Sequence, residues 1–368
     1  MQRSLLLFEN SLKTETTKNK YLYYLEQFKK FYSLKDYDSM LAIPKEKLQI
    51  MVEDYVMMLK KRINPNSVNT YMAGIQAFFD TNDVELRWKK IRRLYPAKIK
   101  KTGARMWTTE DIDLMLKSTR DLRQKALIHF IAASGVRRGA IPDLKIRHLK
   151  KIENCYAVTV YEDSLEEYTT FIHQEATFWL DKYLEERKNH GEYIDQNSPV
   201  FRKSYQIGIQ KVIPMNEELV LRAIWHVVNK AGLRAGQQKK SGRYETQTDH
   251  GFRKRWSTIV ENTDGVKIIL AEKMMGHSVK SVPMAEIYNL PTVEVLFKEY
   301  RKAIPELTID GTARKQAELE QKEKENSELM TVIQEKDDAL LRLSKIEAYI
   351  ERDKLREQKL QNQTSPII

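Results

Sequence analysis

The chain has 368 residues, 41% of them hydrophobic, enough for two or three domains with cores of their own. The 63 Lys and Arg against 51 Asp and Glu leave a formal net charge of +12, which points to a polyanionic partner, nucleic acid ahead of an anionic membrane. No stretch reaches the ~18 consecutive apolar residues that span a bilayer, and the apolar run inside Met1 to Glu9 is too short for a signal peptide. No membrane partner is expected. The single cysteine, Cys155, excludes an internal disulfide and a multi-Cys metal site, and fits a reducing, cytoplasmic compartment.

Residues 1–96 are expected to form a small helical domain, with the bundle itself running from residue 11. Tyr21, Leu22, Leu25, Phe28 and Phe31 recur at helical spacing, as do Leu48, Met51, Val52, Tyr55, Val56 and Leu59. Asn64-Pro65-Asn66-Ser67 signals a turn and N-cap ahead of a third helix, and Trp88, Ile91 and Leu94 close the bundle. Residues 97–106 read as a basic interdomain linker carrying Lys98, Lys100, Lys101 and Arg105. A phosphate backbone would favour such charges, although a bare linker is an equal alternative.

The second domain is expected over 107–307. Thr108-Thr109-Glu110-Asp111 caps a helix and Ala126 to Ala133 belongs to another, while Tyr156–Tyr161 and Tyr168–Ile172 alternate as strands do. The predicted fold class is therefore mainly α with a small antiparallel β-sheet. Residues 308–368 form a charged tail. Leu329, Val332, Ala339, Leu343, Ile346 and Ile350 fall on a heptad seam flawed by Lys336, which reads as a coiled coil joining protomers or else as a solvated helix, with disorder from Gln361.

Four features follow in order within the second domain: Ser134-Gly135-Val136-Arg137, His250-Gly251-Phe252-Arg253, Gly276-His277, and Tyr288. In this order they resemble the active-site pattern of the tyrosine recombinases, and the resemblance covers residues 11 to about 305. Gly-Ala-Ile-Pro-Asp-Leu after Arg138 is most similar to archaeal and archaeal-virus members. The resemblance implies a DNA recombinase whose two domains grip one duplex and whose catalytic residues are Arg137, His250, Arg253, His277 and the nucleophile Tyr288. It implies a 3′-phosphotyrosine intermediate, no cofactor, and a homotetramer on two double-stranded DNA sites, acting in the cytoplasm at the nucleoid.

The chemistry gives each residue type a reason. A tyrosine oxygen attacking phosphorus conserves the phosphodiester energy and releases a 5′-hydroxyl. Two guanidiniums, Arg137 and Arg253, can fork onto the non-bridging oxygens where negative charge builds. His250 can move the tyrosine proton, and His277 can donate to the phosphate. Arg138 competes with Arg137 for the first arginine role, and Tyr300, at packing spacing with Leu296 and Phe297, is the nearest rival to Tyr288. His129, His148, His173, His190 and His226 show no metal-ligand spacing, so no metal is expected.

The sequence departs from the family in three places. The turn between the two strands, Glu162 to Glu167, lacks the lysine that serves as general acid, and no Lys or Arg occurs between Lys151 and Lys182. Ala140 stands where an acidic residue is common, and His277 and Tyr288 lie eleven apart, slightly more than usual. Two other readings stay open: a relaxing enzyme like the type IB topoisomerases, using the same residues, and a DNA-binding architectural protein with a weakened site, which the missing lysine favours.

Overall fold

Local capping and apolar faces divide this chain into helices before any tertiary contact is counted. The structure, a computed structural model, describes residues 2–99, 105–204, 211–239, 243–277 and 291–363. Two compact units emerge: Met1–Thr102 with Lys240–Arg243, and Gly103–Lys239 with Tyr244–Ile368.

Among its described residues the first unit holds six helices: α1 (Arg3–Ser11), α2 (Glu15–Phe31), α3 (Tyr37–Leu41), α4 (Lys45–Arg62), α5 (Pro65–Thr81) and α6 (Trp88–Arg93). The bundle starts earlier than expected, because Phe8 of α1 is fully buried and meets Phe78 edge-on at 5.5 Å. Asn64 caps α5 through its side-chain oxygen, 2.9 Å from the Asn66 amide, with Pro65 at the first helical position. Phe28, Val52, Val56, Ile75, Phe78 and Phe79 are fully buried in one core. Each such side chain contributes roughly 1.5–3 kcal/mol relative to exposure.

In the second unit, α7 (Thr109–Ser118) opens on a reciprocal capping box between Thr108 and Asp111. The next helix, α8 (Leu122–Ser134), is buried on every side from Ala126 to Ser134, so it is a central helix with no solvent face. A three-stranded antiparallel sheet follows, in the order β1 (Leu149–Ile152), β2 (Cys155–Val160), β3 (Tyr168–Ile172). Strands β2 and β3 match the alternation in the sequence. β1 escaped it because Lys150 and Lys151 sit exposed inside a four-residue strand. Then come α9 (Gln174–Asn189), α10 (Glu217–Lys230), α11 (His250–Asn262), α12 (Ile268–Met274) and the helix Val293–Leu307.

The C-terminus of α8 is held by side chains from two other helices. Trp256 of α11 donates its indole N–H to the Ala133 carbonyl at 2.8 Å, and Tyr300 donates its hydroxyl to the same oxygen at 2.9 Å. One of the carbonyls a helix leaves unpaired at its end is thus doubly satisfied. Replacing fully buried Trp256 with alanine would cost about 3–5 kcal/mol.

The last helix runs unbroken from Gly311 to Gln363, 53 residues or roughly 80 Å. Gln361–Gln363 continue it, so the tail is ordered further than the sequence suggested; 364–368 lie outside the described residues. Its start is fastened to the second unit. Glu175 accepts from the Ile309 and Asp310 amides at 2.8 and 3.0 Å, Arg314 reaches the Thr308 carbonyl at 3.0 Å, and Lys324 pairs with Glu153. Further along, Leu329, Leu343 and Ile346 are more than half exposed.

Candidate active site

Helix α8 ends because Gly135 takes a left-handed conformation (φ 61°), closing the helix and turning the chain sharply. A side chain there is excluded twice, by φ and because a Cβ would lie 2.8 Å from the buried Trp256 ring. The turn delivers Arg137 in extended conformation, just ahead of the 3-10 segment Arg138–Asp143.

Arg253 projects from the second turn of α11 and is 9% exposed. Its Nη1 donates to the Gly135 carbonyl and its Nη2 to the Met275 carbonyl, both at 2.7 Å, and Nη2 lies 2.8 Å from His277 Nε2. One guanidinium therefore ties the turn before Arg137 to the turn before His277. Its pKa is held below the usual arginine range, first by burial and then by repulsion from Arg137.

His277 follows Gly276, whose φ of 63° requires glycine, as does the Tyr168 ring that a Cβ would overlap. The other ring nitrogen, Nδ1, lies 2.6 Å from Glu272 Oε2. Arg137 Nη2 meets the Gly276 carbonyl only at 3.5 Å. Among the described residues neither Arg137 nor Arg253 has a carboxylate partner, so two positive charges face one cleft uncompensated.

That cleft is open, about 860 Å³, and lined by Arg105, Arg137, His250, Arg253, Lys254 and His277, with Met106, Ser257, Thr258 and Met275. His250, the first residue of α11, is exposed, and its Nδ1 stands 3.6 Å from Asp249. The structure thus gathers Arg137, His250, Arg253 and His277 at one place; Tyr288 lies outside the described residues, so its position relative to them is not given.

Both rivals are engaged elsewhere. Arg138 is spent on Asp249 at 2.9 Å and Glu217 at 3.5 Å. Tyr300 is fully buried, with its hydroxyl bound to a carbonyl and its pKa pushed up by burial. His277 differs from expectation: its Nε2 faces Arg253 rather than standing ready to donate to a phosphate.

Of the linker residues, Arg105 enters the cleft rather than trailing between domains. Its amide donates to the Glu245 carbonyl at 3.2 Å in a short parallel bridge with Thr246. Lys98 is exposed after α6, and Lys100 and Lys101 lie outside the described residues.

Sequence reasoning missed Lys254, Glu272 and Tyr168. His250, Arg253, Lys254 and Ser257 share an i, i+3, i+4, i+7 spacing that could have flagged Lys254; nothing in the sequence marks Glu272 as the partner of His277. In the β2–β3 turn, Glu162 accepts from Arg147 Nε at 2.9 Å and Nη2 at 2.5 Å, and His148 Nε2 lies 3.0 Å away. These bonds, Arg147's first, bring the Glu162 carboxyl down to about 2. Leu165, at the turn's tip, is fully exposed. Among the described residues no group of three or more His, Cys, Asp or Glu is placed to hold a metal ion, and no helix is long and apolar enough to cross a membrane.

The sequence profile of the phage integrase family matches residues 105–294, just over half of the chain. Among solved structures, the chain is similar to the Tn1549 transposon integrase in complex with transposon right end DNA, at 14% identity over 81% of this chain and 98% of that one, TM-score 0.53. It is similar to a lambda integrase dimer bound to a COC' core site, at 12% identity over 79% of this chain and 98% of that one, TM-score 0.51. A lambda integrase tetramer bound to a Holliday junction matches at 13% identity over 79% of each chain, TM-score 0.50. At these identities the likeness is one of fold. No curated protein matches the chain.

Proposed function

The chain belongs to the phage integrase family and is a site-specific recombinase, a DNA strand-breaking and rejoining enzyme; from that premise we propose how its residues divide the work. Tyr288 attacks the scissile phosphorus and leaves a 3′-phosphotyrosine link. Arg137 and Arg253 hold the non-bridging oxygens, His250 takes the tyrosine proton, and His277 completes the phosphate site once DNA displaces its contact with Arg253. No cofactor enters this scheme.

The observation that carries the reading is the pair of guanidiniums, Arg137 and Arg253, set close enough to repel and left without a carboxylate between them. A site of that kind is strained until an anion enters. A phosphate developing extra charge in a transition state relieves it most, which is what accelerates a reaction.

The substrate would be double-stranded DNA, with the helical unit 1–96 as the core-binding domain, 107–307 as the catalytic domain, and Lys98, Lys100, Lys101 and Arg105 on the phosphate backbone. Four copies on two sites would form the working assembly, in the cytoplasm at the nucleoid, with the tail at 308–368 adding a coiled-coil contact. The Gly-Ala-Ile-Pro-Asp-Leu segment supports kinship with archaeal and archaeal-virus members, and so a mobile-element origin. The catalytic-turn sequence, with no lysine, supports one second reading, a slow enzyme that serves chiefly as a DNA-binding protein.

A suicide DNA substrate tests the proposal. Wild-type protein should trap a covalent adduct that maps to Tyr288, Tyr288→Phe should trap none while binding DNA with unchanged affinity, and Tyr300→Phe should still trap it. Adduct on any other residue, or none at all, overturns the assignment.

A further inference from the structure

Expelling a 5′-alkoxide near neutral pH requires a proton donor, since the conjugate acid of that leaving group has a pKa far above 7. The donor must reach the scissile phosphate; among the described residues the candidates are the groups lining the cleft and those of the β2–β3 turn, where the family carries its lysine. Taking them one by one narrows the choice.

Arginines are poor acids because the guanidinium holds its proton above pH 12. Arg105, Arg137 and Arg253 are thereby set aside. Among the described residues Arg147 is the arginine bonded to the β2–β3 turn, and Glu162 raises its pKa further. The turn's carboxyl, Glu162, is itself pinned as an anion by Arg147 and His148, so it has no proton to give near neutrality.

The two cleft histidines are engaged otherwise. His277 has its ring nitrogens turned to Arg253 and Glu272, and His250 is needed for the proton that leaves the tyrosine. Ser257 donates to Glu261, and an aliphatic hydroxyl is no stronger an acid than the leaving group. Lys254 remains. It follows Arg253 on α11 and stands one turn beyond His250, on the face that lines the cleft. Burial lowers its pKa below the ordinary lysine value, which makes an ammonium a readier donor.

We propose that Lys254 is the general acid of strand cleavage, protonating the leaving 5′ oxygen in place of the lysine that the β2–β3 turn lacks. The inference rests on the recombinase reading above. The Tyr288 oxygen forms a bond to phosphorus as its proton passes to His250. The P–O5′ bond breaks, and its electron pair takes the proton from Lys254 Nζ, leaving a neutral amine. In rejoining, that amine accepts the proton back from the attacking 5′-hydroxyl while the bond from phosphorus to the Tyr288 oxygen breaks and His250 returns its proton to that oxygen, so the cycle closes with no net change.

The test uses the full-length protein and two suicide substrates, one of ordinary DNA and one with a bridging 5′-phosphorothiolate at the scissile position. Sulfur leaves without needing a proton. On ordinary DNA, Lys254→Ala and Lys254→Arg should each slow single-turnover cleavage by about 10²-fold or more, since the arginine keeps the charge but not the acidity. On the phosphorothiolate both should cleave within a few-fold of wild type, which also shows that they are folded and bind DNA.

Two results would overturn the proposal: equal slowing on both substrates, which marks a positioning or folding role, or no slowing on either. A wild-type protein that forms no adduct with either substrate overturns the recombinase reading itself, and the role of Lys254 with it.

Discussion

Arg253 and His277 meet with Nη2 2.8 Å from Nε2, and that contact fixes the histidine's tautomer. A guanidinium has no lone pair with which to accept, so Nε2 is the acceptor and the ring hydrogen sits on Nδ1, directed at Glu272 Oε2 at 2.6 Å. Glu272 therefore orients the ring. Glu272→Leu should slow single-turnover cleavage by roughly ten- to a hundredfold, the usual cost of losing the partner that orients a working histidine. Glu272→Gln, which keeps an acceptor, should lose less. A leucine variant at the wild-type rate would show that the ring needs no such support.

The two neighbouring arginines should part company on substitution. Arg137→Ala removes a donor aimed at transition-state charge and should cost at least ~10²–10³ in cleavage rate. Arg137→Lys should fare little better, because a point charge cannot reproduce the fork. Arg138→Ala breaks ion pairs with Asp249 and Glu217, so its effect should fall on thermal stability and leave cleavage within about tenfold, typical of a partly exposed pair. Cleavage rates and melting curves of the three variants decide it; the reverse order would exchange the assignments.

Acid stability should carry the mark of two buried histidines. Burial holds both His129 and His173 down to about 3, against an ordinary value of 6.5. Between those limits the unfolded chain takes up protons that the folded chain refuses, so stability is fully present above pH 6.5 and declines as the pH falls towards 3. From pH 6.5 to 5 the loss would be at most about 2 kcal/mol for each histidine. His129 stacks on Trp179 with ring centroids 5.7 Å apart, and His129→Phe can keep that stack. Urea unfolding at pH 7 and pH 5 should show a smaller drop for the phenylalanine variant; an equal drop would place the proton uptake elsewhere.

Removing the distal part of the last helix should weaken association and leave the catalytic unit intact. Because Arg314 and Lys324 fasten its first turns, the chain should be cut after Lys324 rather than at residue 312. If the seam through Leu329, Leu343 and Ile346 joins protomers, sedimentation at micromolar concentration should show a lower association state with an unchanged melting transition. An unaltered sedimentation profile would return the segment to a solvated helix.

Three of the four motifs that the sequence singled out come together in one cleft, and each was legible because it is local: a helix end with glycine, a His and Arg one turn apart, a Gly-His turn. The fourth, Tyr288, lies outside the described residues. The sequence made most helices legible for the same reason, through caps such as Thr108 and Asn64 and apolar spacing such as that of Val52, Tyr55 and Val56. Most of what it withheld was long-range. Tyr168 meets Gly276 from the sheet and Arg105 reaches the cleft through a bridge to Thr246; Glu272, only five residues before His277, carries no local signal that pairs the two. The ion pairs of Arg138 with Asp249 and Glu217, which no local pattern announces, favour Arg137 for the first arginine role. The burial of α8 on all sides hid its orientation, since a helix without a polar face shows no periodicity to read.

Arg253 does two jobs with one side chain, and this sets the order in which such a site can erode. Its bonds to the Gly135 and Met275 carbonyls hold two turns together whether or not DNA is ever cut. A descendant that had given up cleavage could discard Arg137, whose side chain among the described residues makes one long contact with the fold, at little cost to folding. Losing Arg253 would strand two buried carbonyls, each costing on the order of 1–3 kcal/mol. Retention of the second arginine in a degenerate relative would therefore testify to architecture alone, whereas retention of the first would testify to continued use of the blade.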